Sequence, residues 1–168
     1  VWMRRIFIIG IGAGNPDYLT VQAIDAMRMA DVFFMPDKGA EKGGLNRIRL
    51  EFLARFVPEG RYRLVDFAIP ERHRAETPDY KDSIDEWRGK LETAYARLFS
   101  DELAEDGVGA FLVWGDPGLY DGTLKILGDM KAGGAAFEFE VIAGISAPQA
   151  LAARHKVALN GVGEPVVM

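Results

Sequence analysis

The chain has 168 residues, about one domain of ordinary size, and can bury a substantial core. Its formal net charge of −5 denies it the basic face that nucleic acids and anionic membrane surfaces require, so neither is expected as a partner. Without cysteine it has no disulfide and no thiolate metal site, and no apolar stretch approaches the ~20 residues of a membrane span, which together fit a cytoplasmic protein.

The start, VWMRRIFIIG, enters an apolar strand (5–9) at once and shows no small-residue cleavage site, so no signal peptide is expected. The loop IGIGAGNPDYLT follows, with glycine at 10, 12 and 14, and a helix is predicted over 21–30 after Thr20. Such a strand–turn–helix unit places bare backbone N–H groups at the carboxyl end of a strand, where open α/β sheets collect ligands. The dinucleotide fingerprint GxGxxG fails here, because its third glycine would fall at Asn15. A second strand is read over 31–35, and Met35 and Pro36 stand at its end where a ribose-binding acid would be needed. For this loop alone, a ligand cradle and a plain packing turn remain equally open.

Further along, a helix is predicted over 45–56 and a strand over 62–68. The segment from Pro70 to Pro78 is charged and bounded by prolines, so it reads as a surface loop carrying His73. A long helix (83–104) presents Ile84, Trp87, Leu91, Tyr95, Leu98 and Leu103 as one apolar stripe. The strand over 109–114 runs into WGDPGLY, where Pro117 fixes the turn. Asp116 there either accepts from a ligand's hydroxyl or ammonium-like group or caps the helix at 122–131; Trp114 is either core or site. A last strand (137–142) leads through IAGISAPQAL to a helix over 147–155, with Ser146 as N-cap and His155 at the favourable C-terminal end. Strand–helix alternation of this kind predicts an α/β fold with a mainly parallel sheet flanked by helices. Three strand-to-loop junctions aimed at one edge suggest a shared small-molecule crevice. Residues 1–160 read as an N-terminal domain and 161–168 as a linker and the start of a second domain that stops at Met168.

The segments GIGAGNPDYLT, WGDPGLYDGT and IAGISAPQALAARHKVALN, in this order and spacing, resemble the tetrapyrrole (precorrin/corrin) methylases over essentially the whole chain. That resemblance implies S-adenosylmethionine, with S-adenosylhomocysteine as product, bound in a cleft between this domain and a second α/β domain. It places the cofactor against Ala13, Trp114, Gly115, Asp116, Leu119, Tyr120, Ser146 and Ala147, where Ala13 replaces the usual proline. It turns the glycine-rich loop, with Gly12, Gly14 and Asn15, toward a precorrin substrate, one of whose carboxylates Lys38 would pair. Ala13-Gly14-Asn15, ADVFFMPDKG, FLVWGDPGLYD and ALNGVGEPV point to the branch that methylates precorrin-5 at C-1 and releases acetate to give precorrin-6A. The same resemblance implies a homodimer, and no metal is expected.

Methyl transfer from a sulfonium needs alignment more than acid–base help. Expulsion of the acetyl group needs an activated water, for which Asp17, Asp37 and Asp116 are candidates, with surface solvation the default explanation of the first two. No residue is assigned as the catalyst; Asp116 is the candidate. Another precorrin methyltransferase, an NAD-type oxidoreductase domain and a catalytically silent tetrapyrrole- or nucleotide-binding domain remain as alternatives.

Overall fold

Side chains alternate between two apolar layers along the central strands, and that alternation positions everything else. The computed structural model describes residues 3–37, 43–71 and 80–167. In it β1 (Arg5–Gly10), β2 (Val32–Asp37) and β4 (Val108–Val113) are buried along most of their length. The edges are β3 (Arg63–Ala68) and β5 (Glu138–Ile142), more exposed, and the order is β3-β2-β4-β1-β5 with every pair parallel.

Phe7, Ile9, Phe33, Met35, Ala110 and Leu112 face one layer, where α1 (Val21–Met29) and α2 (Gly43–Phe56) supply Met27 and Leu53. Ile6, Ile8, Phe34, Phe111 and Val113 face the other, against α3 (Tyr80–Glu102) and α4 (Thr123–Ala132). The chain moves from β1 through β2 to β3 with helices on the first face, then back through β4 to β5 with helices on the second. A constant right-handed crossover demands that change of face. The final helix, α5 (Ala147–His155), follows β5. Complete burial of a Phe or Ile contributes roughly 1.5–3 kcal/mol, so Phe7, Phe33, Phe34, Ile6, Ile8 and Ile9, all under 2 % exposed, anchor the sheet at its centre.

The predicted α/β architecture with its parallel sheet is the one observed. Thr20 caps α1, its Oγ1 accepting from the Ala23 N–H at 3.0 Å. The buried stripe of α3 is Leu91, Tyr95 and Phe99, joined by Leu103 just beyond the helix end, with Trp87 and Leu98 half-buried. Most bounds shift by one to three residues from the sequence reading, α3 among them at Tyr80–Glu102 where 83–104 was expected, and two of the shifts bear on the site. β4 stops at Val113, which leaves Trp114 in the loop, and β2 starts at Val32 and runs through Pro36 to Asp37. Asp31 precedes β2 and holds β4 in register, its Oδ2 accepting from the Val108 N–H at 2.8 Å. Lys38, His73 and most of the 70–78 loop lie outside the described residues. Among the described residues no helix is long and apolar enough to cross a membrane.

Candidate functional site

The three glycine-bearing loops leave the carboxyl ends of the neighbouring strands β4, β1 and β5 and are tied to one another. Gly12 N–H donates to the Gly115 carbonyl at 3.2 Å, and Gly115 N–H donates to the Gly12 carbonyl at 2.8 Å. Asp116 brings in the third loop: its Oδ2 accepts from Gly144 N–H at 2.9 Å, while Oδ1 accepts from Gly118 N–H at 2.8 Å. These approaches exclude side chains. A Cβ on Gly144 would collide with the Gly115 carbonyl, and one on Gly10 would lie 2.7 Å from the Gly144 nitrogen. The three turns therefore form one rim.

Along this rim Gly12 is buried, Gly14 half-buried and Ala13 exposed. Asn15 directs its Oδ1 to the Asp17 N–H at 3.0 Å. Asp17 pairs on the surface with Arg55 Nη2 at 3.5 Å. Gly115, Asp116 and Leu119 are half-buried. Tyr120 is left-handed at φ 56 with its side chain 87 % exposed. That backbone costs a bulky residue about 1–2 kcal/mol, and such strain clusters at ligand clamps.

Ser146 is only 4 % exposed. Its Oγ donates to Gln149 Oε1 at 2.9 Å and accepts from Gln149 N–H at 3.4 Å, a capping box that starts α5. The hydroxyl is thereby committed within the helix. What this loop offers a ligand is the N–H of Ala147, a first-turn amide with no acceptor inside the helix. Asp116 does not hold the start of α4, the other role open to it in the sequence; Asp121, one residue before the Gly122 N-cap, takes the first amide there, its Oδ1 accepting from Thr123 N–H at 2.7 Å. The reason is reach, since both Asp116 oxygens are already held by Gly118 and Gly144.

Beside the rim the sheet splits. β2 and β4 pair only at Val32, Phe33 and Phe34, while β2 stays with β3 as far as Asp37. Pro36 has no N–H to continue a ladder, and its carbonyl accepts instead from Asn46 Nδ2 at 3.1 Å. On the other side of the gap the Leu112 carbonyl accepts from Arg49 Nε at 3.0 Å, and Arg49 Nη1 donates to Asn46 Oδ1 at 3.0 Å. Asn46 and Arg49, one turn apart on α2, thus wedge the strands open where the chain changes face. That switch point is where open α/β sheets bind ligands.

The crevice holds a cavity of about 360 Å³ walled by Phe34, Phe67, Tyr95, Phe111 and Trp114, and Leu119 and Tyr120 join it to the rim. Arg49 is 6 % exposed, with its guanidinium carbon 5.2 Å from the centroid of the Trp114 ring. Burial lowers its pKa from the usual arginine value, and the nearby Asp121 carboxylate opposes that by favouring the charge. Burial pushes the Tyr95 hydroxyl up to about 12; a hydrogen bond with Thr123 opposes this and Asp121 adds to it. Trp114 Nε1 is buried without an acceptor among the described residues. An orphaned donor of this kind costs about 1–3 kcal/mol, so it favours a bound molecule that can accept. Among the described residues no group of three or more His, Cys, Asp or Glu could hold a metal ion.

Sequence reasoning did not find Asn46, Arg49, Tyr95 or Asp121 as site residues. For Arg49 a signal existed: it precedes Phe52 and Leu53 by three and four positions, inside the apolar stripe of its helix. One argument against a dinucleotide site also loses its footing. β2 ends on an acid after all, Asp37, because the strand runs through the proline. The incomplete glycine fingerprint still stands against that reading.

Comparison with known proteins fits this geometry. The profile of the Tetrapyrrole (Corrin/Porphyrin) Methylases matches residues 5–168. Over 165 residues the chain is 51 % identical to a deacetylating precorrin-6A synthase from Sinorhizobium sp, covering 98 % of this chain and 63 % of that protein. It superposes with a TM-score of 0.73 and 32 % identity on the crystal structure of a cobalamin-synthesis-related protein from Corynebacterium diphtheriae, covering 97 % of this chain and 62 % of that one. A cobalt precorrin-4 methyltransferase shares the fold, with a TM-score of 0.56 at 21 % identity over 94 % of this chain and 52 % of that one. The chain thus spans between half and two-thirds of the length of these relatives. With the matched profile covering nearly all of it, the chain belongs to the tetrapyrrole (corrin/porphyrin) methylase family.

Proposed function

We propose that this chain is the rim-bearing part of an S-adenosylmethionine-dependent C-methyltransferase that methylates precorrin-5 at C-1 and releases acetate, giving precorrin-6A. The observation that carries the reading is the cross-tied rim of Gly12, Gly115 and Gly144, built in a chain half identical to a deacetylating synthase. The residues present suit the cofactor. Amide donors at the rim, the orphaned Trp114 Nε1 and the exposed Tyr120 ring offer hydrogen bonds and a stacking face to a nucleoside and its amino-acid arm.

When bound, S-adenosylmethionine supplies an already activated methyl group, which leaves this chain the work of alignment. In the proposed site Trp114, Gly115, Leu119, Tyr120 and Ala147 contact the cofactor, with Ala13 beside them. Ser146 acts through the helix start that it caps. Gly12, Gly14 and Asn15 face the macrocycle, and Lys38 belongs to the substrate side of the reading. Asp116 is a positioning residue, because its two oxygens hold the rim. Of the acids weighed for activating water, Asp17 pairs on the surface with Arg55 and Asp37 ends β2 beside Pro36 at the cavity edge; none of the three is assigned as the base. A homodimeric, cytoplasmic enzyme completes the reading and rests on kinship; sedimentation tests the former.

Calorimetry with S-adenosylhomocysteine and with NAD tests the cofactor, and acetate release from precorrin-5 tests the reaction. Binding of the first, with acetate formed one for one with methyl transferred, is expected. Tight binding of NAD alone would replace this reading with an oxidoreductase one.

A further inference from the structure

We propose that the crevice between β2 and β4 is a carboxylate-recognising subsite, in which Arg49 selects ligands that carry an ionised side arm on a flat apolar body. The inference rests on reading the crevice as part of the same ligand site as the rim. Among the described residues lining the cavity, Arg49 is the cation and Asp121 the anion. The guanidinium is fixed before any ligand arrives: Nε holds the Leu112 carbonyl, Nη1 holds Asn46 and the plane lies over Trp114. Keeping the strands apart uses those two nitrogens only. No residue among the described ones accepts from Nη2.

Asp121 does not neutralise the cation by contact. Its Oδ1 takes the Thr123 N–H, and no ion pair joins it to Arg49 among the described residues. A buried charge without a contact partner is unfavourable, so an incoming carboxylate is favoured by desolvation already accomplished. A planar guanidinium presents paired donors that match a carboxylate, and one already held in place loses little freedom on binding. Aromatic rings supply much of the remaining wall: Tyr95 and Phe111 lie 4.8 Å apart between centroids, and Phe67 stands edge-on to Tyr95 at 5.7 Å. They suit the edge of a flat, conjugated body whose arm reaches the arginine.

The test is fluorescence titration with uroporphyrin III and with the same porphyrin converted to its carboxamides. The parent chain is expected to bind the acid at least about tenfold more tightly than the amide, the discrimination of a charge-assisted hydrogen bond. Arg49→Gln should bring that ratio to about one, and Arg49→Lys should keep part of it. A purely structural role for Arg49 would weaken both ligands alike and leave the ratio unchanged, which overturns the proposal. Equal binding of acid and amide by the parent, or no binding of the acid, overturns it too. Calorimetry with S-adenosylhomocysteine, run in parallel, separates this from the methyltransferase reading. An unchanged ratio in Arg49→Gln with that ligand still bound sinks the subsite alone. An Arg49-dependent ratio without that binding sinks the methyltransferase and leaves the subsite.

Discussion

Asp116 and Gly144 are 28 residues apart in sequence, yet Asp116 Oδ2 accepts the Gly144 N–H at 2.9 Å. One side chain in the loop after β4 thereby fixes the backbone of the loop after β5, and the same carboxylate fixes its own loop at Gly118. The rim is held by this carboxylate together with the paired amides of Gly12 and Gly115.

Asp116→Ala removes both acceptors and leaves two amides to find water. Hydrogen bonds to a charged group contribute about 1.5–3 kcal/mol, and the half-buried position brings the expected loss to about 2 kcal/mol in urea denaturation. Affinity for S-adenosylhomocysteine should fall with it. Asp116→Asn keeps one acceptor oxygen and should lose less. Unchanged stability and affinity would remove Asp116 from the rim.

Gly144→Ala puts a methyl group into the Gly115 carbonyl and should destabilise by ~3 kcal/mol or more, as overpacking against backbone does. Gly128→Ala is the control: it sits within α4 with nothing within 4 Å of the added carbon, so helix propensity should raise stability by about 0.5–1 kcal/mol. Equal melting temperatures for the two variants would contradict the close crossing of the loops.

Tyr120 holds a left-handed backbone that asparagine tolerates better. Tyr120→Asn should therefore stabilise the chain by about 1 kcal/mol while weakening S-adenosylhomocysteine several-fold through loss of the ring. A stability gain without loss of affinity would show that the strain serves no ligand.

Tyr95 gives a pH signature. Its folded pKa of about 12 lies above the value of 10.0 expected when unfolded, so between those limits the folded chain keeps a proton that the unfolded chain has lost. Its contribution is complete below pH 10.0 and is lost as pH rises through about 12. At 1.36 kcal/mol per unit, the difference is on the order of 2–3 kcal/mol. Tyr95→Phe should flatten the fall in stability between pH 9 and 11.5, read by urea denaturation against the parent chain. An unchanged slope would contradict the burial of its hydroxyl.

The strand–helix order was legible because β1 and β4 are unbroken apolar runs and their loops carry Gly and Pro, local signals that survive in any tertiary setting. The Ser146 cap was legible too, since a serine followed three residues on by glutamine is a local pattern. What escaped depends on long-range geometry. Pro36 read as the end of a strand, because nothing local says that β4 withdraws after Phe34 and leaves the proline's side of the ladder unpaired. Arg49 was passed over, because nothing near it in sequence names its partner, the Leu112 carbonyl 63 residues away. Asp116 and Asp121 both stand before α4 as acids able to cap it, and only the approach of Gly144 decides between them.

The central claim is that the three cross-tied turns are one ligand site. Backbone amide chemical-shift mapping during titration with S-adenosylhomocysteine tests it most directly. The account predicts saturable shifts gathered at residues 12–14, 115–120 and 144–147, with the same dissociation constant at all three. Shifts confined to one turn, shifts at the opposite end of the sheet near Asp31 and Gly107, or none at all would contradict it.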